Sequence, residues 1–263
     1  MKTTISTLRK MYENSEKFAV LTCYDALFAG ILENCGVDVL LVGDSLGNVI
    51  QGEKTTLPVT LDDMIYHTRC VARGTEKALI MADMPFGTSQ LSPQHTFDNA
   101  GKLLAAGAQM VKIEGGRIMA ETVDFLTQRG IPVCVHIGLT PQSVHQFGGY
   151  KLQGHSETSA RQLIDDARIL EESGAALLLM ELVPATLAKQ ITESLHIPTI
   201  GIGAGHACSA QVLVLHDMLG LYQGKKPRFI KNFMENACSI QEAIRSYVEA
   251  VKNNQFPDSE HEY

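Results

Sequence analysis

Several absences bound what this chain can be. Its six cysteines, at 23, 35, 70, 134, 208 and 238, form no C-x-x-C and no close pair. A disulfide framework is therefore not expected, and a reducing cytoplasm is the expected compartment. The first twenty residues contain no apolar core of a secretory signal. No apolar stretch approaches the roughly 20 residues needed to span a bilayer. Basic excess is missing too: 22 Lys and Arg face 29 Asp and Glu, a formal charge of −7. A chain that coats nucleic acid or anionic membrane needs the opposite balance, so neither is an expected partner. No Pro/Ser-rich linker or charge run divides the sequence, which reads as one domain over residues 1–263. G-x-S-x-G, H-E-x-x-H and P-loop signatures are also absent, which withdraws support from those enzyme classes.

What is present is a well-supplied core and a loose internal repeat. The 263 residues are 45% hydrophobic, and α/β barrels commonly run to about 250 residues as one unit. Three segments read as helix end, glycine, apolar strand and carboxylate: NCGVDVLLVGD to Asp44, AAGAQMVKIE to Glu114, and ESGAALLLME to Glu181. Gly36, Gly107 and Gly174 stand where a helix end calls for a left-handed residue. The apolar runs suit parallel strands buried on both faces. ALIMAD to Asp83 and IPVCVHIG with His136 repeat the theme, and FAVLTCYD, IPTIGIGAG and QVLVLHD complete about eight strands. Helical stretches lie between them: one opened by Ser92-Pro93, one with Leu163, Ile164, Ala167 and Leu170 at helical spacing, and PATLAKQITESLH. Eight strand–helix units favour a closed (β/α)₈ barrel over an open sheet. A further helix is expected from about Phe229 to Asn253, with a polar tail beyond. Two long loops, after Asp44 and after His136, have the character of functional lids.

In a parallel barrel, chemistry gathers at the C-terminal strand ends. The candidates are Asp44, Ser45, Asp83, Lys112, Glu114, His136 and Glu181. Any single acid after a strand serves equally well as a helix cap or a solvent-facing group. So many polar residues closing apolar strands is harder to assign to capping. Lys112 and Glu114 alternate to the same side of one strand. Carboxylates converging on one mouth repel unless a cation intervenes. An all-oxygen set suits Mg²⁺, which polarises a carbonyl and favours an enolate. Glu181, kept away from the metal, is then the natural base. GIGAG at 201–205 is not a dinucleotide fingerprint and reads as a close-packed turn. His67, His95, His196 and His216 read as surface or satisfied core histidines.

These residues lie in motifs that resemble the ketopantoate hydroxymethyltransferase family. They are T-C-Y-D at 22–25, L-V-G-D-S-L-G at 41–47, T-L-P-V-T at 56–60, A-D-M-P-F at 82–86 and V-K-I-E-G-G at 111–116. H-I-G-L-T-P-Q at 136–142, F-G-G-Y-K-L-Q-G at 147–154, I-G-I-G-A-G at 200–205 and K-N-F at 231–233 follow in order. Val135, where many relatives have Gly, and the tail SEHEY depart from the family pattern without touching the acids. The resemblance implies a (β/α)₈ barrel of the phosphoenolpyruvate/pyruvate type, assembled as a homodecamer. It implies one Mg²⁺ per subunit at Asp44, Asp83 and Glu114, the last acting directly or through water. Asp44, Ser45, Asp83, Lys112 and His136 would bind 3-methyl-2-oxobutanoate, and Glu181 would be the catalytic proton acceptor. The implied co-substrate is 5,10-methylenetetrahydrofolate and the product 2-dehydropantoate, a step of pantothenate synthesis. The rival readings are a related Mg²⁺-dependent lyase or mutase on the same barrel, which generally needs a reactive loop cysteine, and a non-catalytic barrel that binds a 2-oxo acid.

Overall fold

The computed structural model describes residues 2–221 and 226–263. Eight strands close into a barrel in sequence order: β1 Phe18–Thr22, β2 Val39–Val42, β3 Leu79–Asp83, β4 Met110–Glu114, β5 Val133–Gly138, β6 Leu177–Glu181, β7 Thr199–Ile202 and β8 Ala210–Leu213. Every neighbouring pair is parallel, including β1 with β8, so no sheet edge is left exposed. The register sets Asp83 beside Lys112, Glu114 beside His136, and Gly138 beside Glu181. Among the described residues no helix is long and apolar enough to cross a membrane.

The strand pattern explains how the interior is filled. Alternate residues point inward, and they form one packed cluster containing Phe18, Val20, Val39, Leu41, Leu79, Met81, Met110, Cys134, Leu177 and Leu179. Helix Ile5–Glu13 closes the N-terminal end by inserting Leu8 into the same cluster. The other face of the strands packs against the outer helices in a second cluster. Gly36, Gly107 and Gly174 all have positive φ, between 90° and 119°, and end their helices as the sequence predicts. Ser92 caps helix Pro93–Ala105, accepting a hydrogen bond from the His95 N–H at 3.2 Å.

Two sequence expectations need correction. The β7–β8 connection, residues 203–209, carries no helix. It turns instead through Gly203 and Gly205, both at positive φ, and the Lys17 ammonium donates to the His206 and Cys208 carbonyls at 2.7 and 2.6 Å. Nor is the stretch from Phe229 to Asn253 one helix: a short 3₁₀ turn spans Phe233–Asn236 and the α-helix runs only from Ile240 to Lys252. Asn232 and Ser239 explain the breaks, because each side chain accepts from a backbone N–H ahead of it, Met234 and Glu242 respectively. Helix Ile240–Lys252 then covers β1. Its fully buried Tyr247 donates its hydroxyl to the carbonyls of Val20 on β1 and Gln211 on β8, at 2.9 and 2.8 Å.

Candidate active site

The inward columns of the barrel turn polar at their C-terminal ends. Leu79 and Met81 are followed on the same side by Asp83, Met110 by Lys112 and Glu114, Cys134 by His136, and Leu177 and Leu179 by Glu181. Two-residue periodicity alone therefore delivers five of the seven candidates to one mouth. Asp44 and Ser45 arrive differently, on the turn after β2. A Cβ at Gly43 would sit 2.8 Å from Ser45 Oγ, so any other residue there would push that hydroxyl out of place. Without a Cβ, the Asp44 backbone N–H donates to Asp83 Oδ2 at 3.0 Å. Ser45 Oγ and the Tyr24 hydroxyl are hydrogen-bonded at 2.9 Å.

Lys112 sits among the acids. Its Nζ lies 3.0 Å from Asp83 Oδ1, 3.9 Å from Glu114 Oε1 and 3.3 Å from His136 Nδ1. All these side chains are buried, so one ammonium faces three carboxylates in a setting of weak screening. Burial raises Asp44 well above the usual carboxylate range, and the Asp83 and Glu114 charges add to this against Lys112. Burial opposes ionisation of Lys112, yet the surrounding acids outweigh it and hold the ammonium firmly charged. Glu114 is lowered despite its burial, because His136, Lys112 and the Gln142 N–H favour its charged form. His136 is pulled down by burial and by Lys112, but hydrogen bonding to Glu114 and Glu181 raises it on balance.

Glu181 stands apart. Its side chain is 15% exposed, against 4–5% for Asp83, Lys112 and Glu114. Its Oε2 lies 3.3 Å from His136 Nε2, while His136 Nδ1 lies 3.5 Å from Glu114 Oε1. An imidazole thus bridges the buried acids and a more open carboxylate.

Asp83 Oδ1 and Glu114 Oε1 are buried and face the Lys112 ammonium at 3.0 and 3.9 Å; each carboxylate oxygen carries a further lone pair that a hard cation could take. Among the described residues no group of three or more Asp, Glu, His or Cys side chains is gathered tightly enough to enclose a metal. Mg²⁺ is usually held by one or two carboxylates plus waters and substrate oxygens, so two acids of this mouth would be enough to hold it. Asp44 and Asp83 fit such a role, with Glu114 at one remove because its Oε2 is taken by the Gln142 N–H at 2.9 Å.

Sequence reasoning missed Gln142. Its side-chain amide donates to Asp44 Oδ2 and to the Met84 carbonyl, both at 2.9 Å, while its amide oxygen accepts from Gln90 Nε2 at 3.0 Å. His216 was also misjudged: it lines the mouth, and its buried Nδ1 has no hydrogen-bond partner. His67 is satisfied by the Tyr24 carbonyl, His95 lies beside Asn99, and His196 is an exposed partner of Glu171. Cys208, the nearest approach to a lyase-type loop thiol, is fully buried, and burial pushes it up to about 11.

Comparison with known proteins decides between the rivals. The family model described as ketopantoate hydroxymethyltransferase matches residues 2–259. The chain belongs to the ketopantoate hydroxymethyltransferase family. Members include the 3-methyl-2-oxobutanoate hydroxymethyltransferases of Nitrosospira multiformis, 66% identical over the full length of both chains, and of Nitrosomonas europaea, 66% identical over 99% of this chain and 97% of that one. As a ketopantoate hydroxymethyltransferase family member the protein is a one-carbon transferase, and the lyase and non-catalytic readings fall away. Solved structures similar in fold alone include a phosphonopyruvate hydrolase complexed with oxalate and Mg²⁺ (TM-score 0.63, 13% identity, 84% of this chain and 83% of that one). A 2,3-dimethylmalate lyase of the PEP mutase/isocitrate lyase superfamily aligns with a TM-score of 0.58 at 17% identity, over 84% of each chain.

Proposed function

We propose that the protein moves the one-carbon unit of 5,10-methylenetetrahydrofolate onto C3 of 3-methyl-2-oxobutanoate, with water supplying the hydroxyl oxygen, to give 2-dehydropantoate and tetrahydrofolate. The observation that carries this reading is the division of labour at the mouth. Three buried acids and one ammonium lie on one side, and a more open carboxylate, Glu181, lies across His136.

Asp44 and Asp83, with Glu114 through water, would hold one Mg²⁺ per subunit. When bound, that ion supplies Lewis acidity to the 2-oxo acid and makes its C3 proton removable. Lys112 pairs with the substrate carboxylate and with the charge that grows on the 2-oxo oxygen. Ser45 and His136 complete the acid's seat, with Ser45 held in place by Tyr24. Glu181 takes the C3 proton, and His136 stabilises and orients it. The resulting enolate carbon bonds to the methylene carbon as one of its two carbon–nitrogen bonds gives way; water then forms the carbon–oxygen bond as the second breaks, and both electron pairs return to nitrogen, releasing tetrahydrofolate.

The family also implies a homodecamer in the cytoplasm, which sedimentation and fractionation would test. The test of the chemistry is proton NMR of 3-methyl-2-oxobutanoate in D₂O with protein and Mg²⁺. The C3 proton should exchange only with metal present, and Glu181→Gln should abolish the exchange. Exchange without metal, or unimpaired exchange in the variant, refutes this mechanism.

A further inference from the structure

The cavity above the strand ends measures about 1210 Å³, beyond the roughly 300–1,000 Å³ that houses a drug-sized ligand. A small branched oxo acid beside Lys112 fills only a fraction of it. The remaining flank is built by the segments after β8, and its chemistry differs from that of the acid cluster. Asp217 lines it on the short helix Leu215–Met218, held over the barrel by the Leu215 N–H donating to Thr22 Oγ1 at 2.9 Å. The Asp217 carboxyl makes no hydrogen bond or ion pair among the described residues, and burial alone lifts it to about 6. Beside it stands His216, with its orphaned Nδ1.

Phe229 and Tyr263 supply aromatic wall, and Lys54, Lys226 and Arg228 line the same cavity. None of these three cations enters an ion pair among the described residues. Arg228 spends donors on the backbone carbonyls of Ser259 and Glu260, at 2.8 and 3.1 Å, which fixes its position and leaves its charge uncancelled.

One cavity thus carries a carboxylate, aromatic faces and cations that form no ion pair among the described residues, with Arg228 over the Tyr263 ring, and together these define a ligand. It has a flat ring with adjacent N–H donors at one end and negative charge at the other. The carboxylate rejects an anionic 2-oxo acid from this flank and favours a 2-amino-4-oxopyrimidine ring, whose N3–H and 2-amino group can both donate to one carboxylate.

We propose that Asp217 binds the 2-amino-4-oxopyrimidine edge of the reduced folate, with His216 beside it, and that Lys54, Lys226 and Arg228 receive the folate's glutamate carboxylates. This rests on the folate-donor reading above and assigns that donor its place.

The probe is 5-formyltetrahydrofolate, and its binding to the full-length protein is followed by calorimetry. Asp217→Asn, which turns one acceptor oxygen into a donor, should weaken binding by about 10- to 100-fold. Raising the salt concentration should weaken binding of polyglutamylated probe more than that of pteridine lacking glutamate. Binding by Asp217→Asn as tight as the native protein's overturns the assignment. Should that variant fail to fold, the native protein decides with a 2-desamino-2-methyl analogue. It should bind at least about ten times more weakly than the parent probe, and equal affinity overturns the assignment. C3 exchange measured on the same native sample separates the two readings. Exchange without any binding of 5-formyltetrahydrofolate refutes the folate donor and this subsite together, whereas binding that ignores the Asp217 change refutes the subsite alone.

Discussion

Lys112 Nζ meets Asp83 Oδ1 at 3.0 Å across the ends of two adjacent strands, and both side chains are buried. This pair is the electrostatic hinge of the site, since Lys112 also balances Asp44 and Glu114. Replacing it by Met keeps the bulk and removes the charge. Lys112→Met should lose about 3–5 kcal/mol of stability in metal-free buffer, the usual cost of leaving buried charge uncompensated. Urea denaturation with and without Mg²⁺ checks this. The metal should recover more stability in the variant than in the native protein, and equal metal effects would count against a cation site among these acids.

Gln142 ties the loop after β5 to two of the acids at once, through its side chain to Asp44 and its backbone to Glu114. Gln142→Ala keeps the backbone bond and removes the amide. The expected outcome is about 1–3 kcal/mol of lost stability, from a buried carboxylate left short of a donor. Turnover should fall by about 10-fold or more through misplacement of that acid. Gln142→Glu should be worse on both counts, because it puts a further carboxylate against Asp44. Steady-state kinetics and chemical denaturation of both variants test the ranking.

Thiol chemistry should separate the cysteines sharply. Burial pushes Cys134 up to about 12 and Cys208 up to about 11, so neither holds appreciable thiolate near pH 8. Cys238 is exposed. A disulfide-exchange reagent at pH 8 should therefore label Cys238 rapidly in the native protein and reach Cys134 and Cys208 only on unfolding. Mass mapping of the labelled sites reads the result, and fast labelling of Cys208 would reopen a role for that thiol.

Tyr247→Phe removes a hydroxyl that serves two carbonyls on different strands. It should cost about 1–3 kcal/mol with the urea m-value unchanged, since the surface exposed on unfolding stays the same. A changed m-value would instead mean that the barrel seam opens in the native state.

How legible all this is from sequence depends on how local the determinant is. The column ending in Asp83, Lys112, Glu114, His136 and Glu181 is a consequence of strand periodicity and can be read residue by residue. Gln142 cannot be found that way. It reaches Asp44 across 98 positions of chain, from a 3₁₀ turn of three residues, Pro141–Ser143, too short to show a period. Asp217 is an intermediate case: in QVLVLHD it ends an apolar run as the other acids do, although the strand stops at Leu213 and Asp217 lies on the helix Leu215–Met218. What sequence could not supply was the second half of the argument, an uncompensated carboxyl on a cavity wall. The interrupted stretch after Phe229 failed for another reason. Asn232 and Ser239 satisfy backbone donors locally, and such competition outweighs the apolar spacing around them.

The bridge made by Tyr247 has a consequence for how the molecule comes into being. Its partner Val20 lies 227 positions earlier in the chain. The first strand must therefore wait, on a ribosome that adds about 5–20 residues per second, for tens of seconds before its last contact exists. Through that interval β1 lacks β8, the neighbour that completes the ring, and presents an unpaired strand to its surroundings. Vulnerability to aggregation should therefore concentrate during synthesis, and a chaperone that shelters nascent β1 would raise the yield of this barrel more than one acting after release.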